Sequence, residues 1–94
     1  MKGHLYKFTV EHLEDAKGNA VEQAPLQFEI RNHDDLFSII DKLDAKMALD
    51  KDDTKAFAVG LKLFGEVMMK HRDVELFRAF KPQFAQFMKQ LKQS

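Results

Sequence analysis

Ninety-four residues and 10.9 kDa, with 45% hydrophobic and 32% charged residues, fit one soluble globular domain. The size scaling gives a folded surface of about 5,600 Å² against about 15,800 Å² unfolded, enough for one modest core. Fifteen basic residues balance fifteen acidic ones and cysteine is absent, which excludes a disulfide framework and thiolate chemistry and argues against a dedicated nucleic-acid binder.

Tyr6, Phe8 and Val10 alternate with Lys7, Thr9 and Glu11, and Leu26, Phe28 and Ile30 alternate with Gln27, Glu29 and Arg31. Both runs have the period of a strand with one apolar face. They predict two antiparallel strands, over about 4–14 and 26–31. A turn at Gly18-Asn19 and an irregular return through Pro25 join them.

From Asn32 the period becomes helical. Leu36, Ile40, Leu43 and Met47 recur at i, i+4, i+7 and i+11. Asn32 suits an N-cap, with Asp35 at the capping-box position, which predicts a helix over 33–48. A second helix, over 53–72, carries Phe57, Leu61, Phe64 and Met68 at the same spacing. Val59, Leu63 and Val67 widen its stripe, so it is expected to be the central, buried helix. Gly60 within it predicts close approach of another backbone, with Gly65 the more tolerant position. Pro82 restricts Lys81 away from helical geometry, dividing the C-terminal segment into helices over 74–80 and 82–93. The fold class is α+β: an N-terminal two-stranded hairpin, over about 4–31, and then three or four packed helices in a single domain.

Most chemistry can be rejected on spacing. Gly60 to Gly65 has the glycine interval of a phosphate loop, but Glu66 and Val67 replace the Lys and Ser/Thr. Asp50, Asp52 and Thr54 begin like a calcium loop, yet Lys55 and Leu61 stand where glycine and glutamate are required. His71-Arg72-Asp73 copies a kinase triplet in a chain too short for a kinase. Of the four histidines, His4 and His12 share a strand face but lie about 27 Å apart along it. No metal site and no cofactor is therefore expected. The apolar runs fall far short of the roughly 20 residues of a membrane span. With no signal-peptide core at the start, a cytoplasmic protein is expected.

Charge is uneven along the chain. Residues 32–53 hold three basic and seven acidic side chains, whereas residues 54–94 hold eight and three. Two polar motifs stand out as candidate binding residues: His33, Asp34 and Asp35 at the strand-to-helix junction, and Lys70, His71 and Arg72 at the end of the second helix. A histidine beside two acids can bind a cation or move a proton. Capping plus solvated charge is the simpler account of the same residues. The basic, amphipathic C-terminal helix fits an acidic partner or a membrane surface, and core packing explains its apolar side as well.

Asn32-His33-Asp34-Asp35-Leu36-Phe37 and the run Gly60 to Arg72 resemble a small bacterial family of uncharacterised domains, catalogued as a domain of unknown function. The resemblance extends through His4-Leu5-Tyr6, Leu76-Phe77 and Pro82 to Lys92, so it covers nearly the whole chain. It implies no catalytic residue.

Three functional readings remain. The first is a non-enzymatic binding or protein-interaction module that self-associates as a homodimer or takes another protein. A lone hairpin is marginal and exposes its edges, and nine phenylalanines exceed the needs of one small core. The second is a small enzyme or enzyme subunit with His33 and Asp34 or Asp35 as an acid–base pair. The third is an anionic-surface binder acting through the basic C-terminal helices.

Overall fold

The computed structural model describes residues 3–93. Its contacts divide the chain into two compact units, 1–33 and 34–94. In order, the elements are β1 (His4–Val10), β2 (Leu26–Asn32), α1 (Leu36–Lys46), α2 (Lys51–Lys70) and α3 (Glu75–Gln93). The α+β class, with a hairpin preceding three helices, is as the periodicities predict.

In the first unit β1 and β2 pair antiparallel, Tyr6 opposite Ile30, Phe8 opposite Phe28 and Val10 opposite Leu26. Because side chains alternate across a strand, these pairs occupy one face. Rings line that face, with Phe8 and Phe28 stacked at 5.4 Å and Tyr6 next to Phe8 at 6.3 Å. β1 stops at Val10, short of the predicted residue 14, and Glu14 instead makes an isolated bridge to Ala20. Asp15 organises the loop tip. Its carboxylate accepts from the amides of Lys17 and Asn19, both at 2.9 Å. Gly18 turns the chain with φ +87°, a conformation open to glycine and costly for other residues. The Asn19 and Lys17 amides hold the Asp15 carboxyl below its ordinary value of 3.8.

In the second unit α1 and α3 each pack on α2. The helix α1 starts three residues later than expected. Asp35, rather than Asn32, is the N-cap, accepting from the amides of Phe37 and Ser38. Asn32 instead closes β2 opposite His4 and is buried. Two short polar residues compete for the cap, and the one used lies beyond the end of the strand pairing. Asp50 caps α2, accepting from Asp53 N at 2.7 Å. The side chain of Lys51 bonds Asp44 at 2.9 Å, and that carboxylate raises the lysine's pKa.

The helix α2 is the middle one, as expected, but its circumference is not buried. Only Thr54, Ala58 and Met68 on it are buried. Leu36 and Leu43 of α1 join Ala58 and Met68 as the buried apolar side chains among the described residues. The α3 contact is aromatic. Phe64 meets Phe77, Phe80 and Phe84 at 5.8–6.4 Å between ring centres, and Phe57 meets Phe87 edge-on at 6.3 Å.

Two expectations are corrected by the helices. The chain does not break at Pro82, because α3 runs through it as one helix. Proline removes one i→i−4 hydrogen bond, but rings on both sides of it, Phe77 and Phe84, rest on Phe64 and keep the rod continuous. The glycine roles are also exchanged. A Cβ at Gly60 would meet nothing within 4 Å, whereas one at Gly65 would lie 3.2 Å from Cζ of Phe84. The two positions are about 140° apart around α2, and α3 approaches on the Gly65 side.

Candidate functional site

The two polar motifs fall in different places. His33 follows β2 and is exposed. Asp34 forms an ion pair with Lys62 of α2 at 3.0 Å, with both side chains less than one-third exposed. Asp35 is the cap already described. Lys70 ends α2 and His71 is its C-cap, donating its backbone amide to the carbonyls of Val67 and Met68. Ten residues of helix and turn separate Lys62 from Arg72, about 15 Å at the helical rise. The carboxylates Asp34 and Asp35 and the cations Lys70 and Arg72 are therefore not gathered around a single point.

Arg72 instead joins a groove between the end of α2 and the start of α3, with a volume of about 350 Å³. The helix α1 has 11 residues against the 20 of α2, so α1 covers only about half of α2's length. Beyond that cover, Met68, Met69, Phe77 and Phe84 form an apolar floor. Gly65 contributes no side chain to fill it. Arg72, Arg78 and Lys81 stand around the floor. Arg78 also pairs with Glu75 one turn earlier. Among the described residues, the side chains of Arg72 and Lys81 make no hydrogen bond or ion pair.

The residues of α3 sort by angle. At about 100° per residue, Arg78, Lys81, Lys89 and Lys92 fall within an arc of about 80°, on the groove side of the packed Phe77–Phe84 line. Leu76, Phe80, Gln83, Phe87 and Gln90 fall on the other side and carry no charge. Leu76 is 74% exposed, and Phe80 and Phe87 are each 43% exposed. No residue of α3 is fully buried. The carbonyls at its C-terminal end are met by Lys46 of α1, which donates to Leu91 O at 3.0 Å and Lys92 O at 3.4 Å.

Sequence reasoning marked Arg72 but missed Arg78 and Lys81 as its neighbours. The signal was present in the spacing of Arg78, Lys81, Lys89 and Lys92, which repeats on one side of a helix only if the helix continues through Pro82. Among the described residues no three His, Asp or Glu side chains are placed to hold a metal ion. No helix there is long and apolar enough to cross a membrane.

No curated protein matches the chain. It is similar to a crystal structure of a protein of unknown function from Pectobacterium atrosepticum, with 45% identity and a TM-score of 0.86, covering 99% of this chain and 100% of that one. A family model described as a Domain of Unknown Function, DUF3861, matches residues 4–93. With the match spanning both the hairpin and the helices, the chain belongs to the DUF3861 family, whose function is unknown.

Proposed function

We propose that the chain is a non-enzymatic interaction module of the cytoplasm that works as a homodimer, a second copy covering the uncharged side of α3. The observation that carries this reading is the apolar exposure of α3, where Leu76 is 74% exposed and Phe80 and Phe87 are each 43% exposed. Composition supports the same face. Interface centres are poor in charge and rich in aromatic residues, and Leu76, Phe80 and Phe87 with Gln83 and Gln90 fit that description. A two-fold axis would set the same face of both copies together.

The acid–base reading of His33 has less support, because Asp34 is engaged by Lys62 and Asp35 by the start of α1. Sedimentation equilibrium tests the proposal. The expected particle has twice the 10.9 kDa of one chain. The double variant Leu76→Lys/Gln83→Lys, at two exposed positions of that side outside the ring contacts to α2, should sediment as a monomer while keeping its helical circular dichroism. A wild-type monomer at high micromolar concentration overturns the proposal. A double variant that stays dimeric rules out this face.

A further inference from the structure

The groove beside Arg72 lies on the opposite side of α3 from the uncharged face, so it needs no second copy and stays open when that face is covered. We propose that it binds a single-chain amphiphile with a carboxylate head, taken up free in solution. Two independent properties of the groove point to such a ligand. The floor of Met68, Met69, Phe77 and Phe84 is apolar. Methionine is flexible and adapts to irregular apolar ligands, and Met69 is half-exposed rather than packed away. The cations give the second property. Arg72 and Lys81 have no carboxylate partner among the described residues. Arg78 is held only by a solvent-exposed pair with Glu75, and such pairs contribute little. A guanidinium presents a planar fork of donors that matches a carboxylate.

Size narrows the ligand. A volume of about 350 Å³ lies at the low end of small-molecule sites, which run from roughly 300 to 1,000 Å³. That favours one acyl chain of medium length over a two-chain lipid. Gly65 supports the same reading from the protein side. A Cβ there would press on Phe84 at the floor, so glycine keeps the groove deep at some cost in helix propensity.

The test is an amide-resolved NMR titration of the full chain with dodecanoate below its micelle concentration. Dodecyltrimethylammonium, with the same tail and the opposite head charge, is titrated in parallel. Dodecanoate should saturably shift the amides of residues 65–72 and 77–85. The cationic amphiphile should bind at least about tenfold more weakly, the worth of one charge-assisted hydrogen bond. Lys81→Glu should weaken dodecanoate binding by a similar factor. Ala85→Trp, at an exposed position lining the groove, should abolish binding while leaving every charge in place. Equal affinity for the two amphiphiles overturns the proposal, as do shifts confined to other residues. Binding to phosphatidylglycerol vesicles without binding to monomeric dodecanoate also overturns it, assigning the cations to a membrane surface. A monomeric wild type would end the homodimer reading and leave these outcomes unchanged.

Discussion

Gly65 and Phe84 are in near-contact across the α2–α3 packing: a Cβ on the glycine would stand 3.2 Å from the tip of the ring. Gly60, one and a half turns earlier, faces open space. Helix propensity favours alanine over glycine by up to roughly 1 kcal/mol at either position. Gly60→Ala should therefore raise the unfolding free energy by about 0.5–1 kcal/mol. Gly65→Ala must displace the Phe84 ring by a few tenths of an ångström, and the gain is offset to within about 0.5 kcal/mol of wild type. Urea denaturation of the two variants gives the ordering, and a reversed order would mean α3 approaches the other side of α2.

Pro82 should be the least favourable residue in α3 for helix stability. It lies in the helix interior, where proline costs about 3 kcal/mol relative to alanine. Since α3 already accommodates the ring, Pro82→Ala should recover roughly 1–3 kcal/mol and raise the thermal midpoint. A lowered midpoint would indicate that the proline is needed to seat Phe84 and Phe87 on α2.

The adjacent acids Asp34 and Asp35 should separate by mechanism. Asp35→Ala removes an N-cap and should cost about 1 kcal/mol at any salt concentration. Asp34→Asn weakens the hold on a Lys62 ammonium whose side chain is only 19% exposed. It should cost roughly 1–3 kcal/mol, with only weak relief from added salt because the pair is partly shielded from ions. Chemical denaturation at low and high salt distinguishes the two.

The loop tip should respond to acid. The Asp15 carboxyl is held below its ordinary value of 3.8 by the Asn19 and Lys17 amides, so its folded-state pKa is depressed relative to the unfolded chain. Its contribution to the turn is fully present above about the unfolded value and is lost as pH falls through the folded one. Amide exchange at Lys17 and Asn19, corrected for intrinsic rates, should show protection at neutral pH and progressive loss below 3.8. Asp15→Asn should remove that pH dependence.

Much of the architecture is legible in the residues, for reasons that differ by element. Tyr6, Phe8, Leu26, Phe28 and Ile30 are spaced for one face of a sheet, and no other period fits them. Phe57, Leu61, Phe64 and Met68 likewise admit only a helix. The breaks are harder to read. Asn32 and Asp35 are both competent caps, and the pairing of Asn32 with His4, a partner 28 residues away in sequence, decides between them. Pro82 breaks an isolated helix, and only the rings that seat α3 on α2 override it. The groove could not be read at all without that continuity, because it depends on α1 ending before α2 does. Asp34 is half of an ion pair whose other member, Lys62, looks from the sequence like an ordinary surface lysine.

The packed pairs β1–β2, α1–α2 and α2–α3 each join elements adjacent in the sequence. Four residues join α1 to α2 and α2 to α3, and fifteen join β1 to β2, so the loop-closure entropy spent before native contacts form is modest. Chains dominated by such local pairings have low contact order and fold in microseconds to milliseconds. The bond from Lys46 to the carbonyls of Leu91 and Lys92 is the exception, spanning nearly half the chain. It can form only after α3 has docked on α2, so it belongs to the last stage of assembly. Removing it with Lys46→Met should leave the folding rate unchanged and appear almost entirely as faster unfolding.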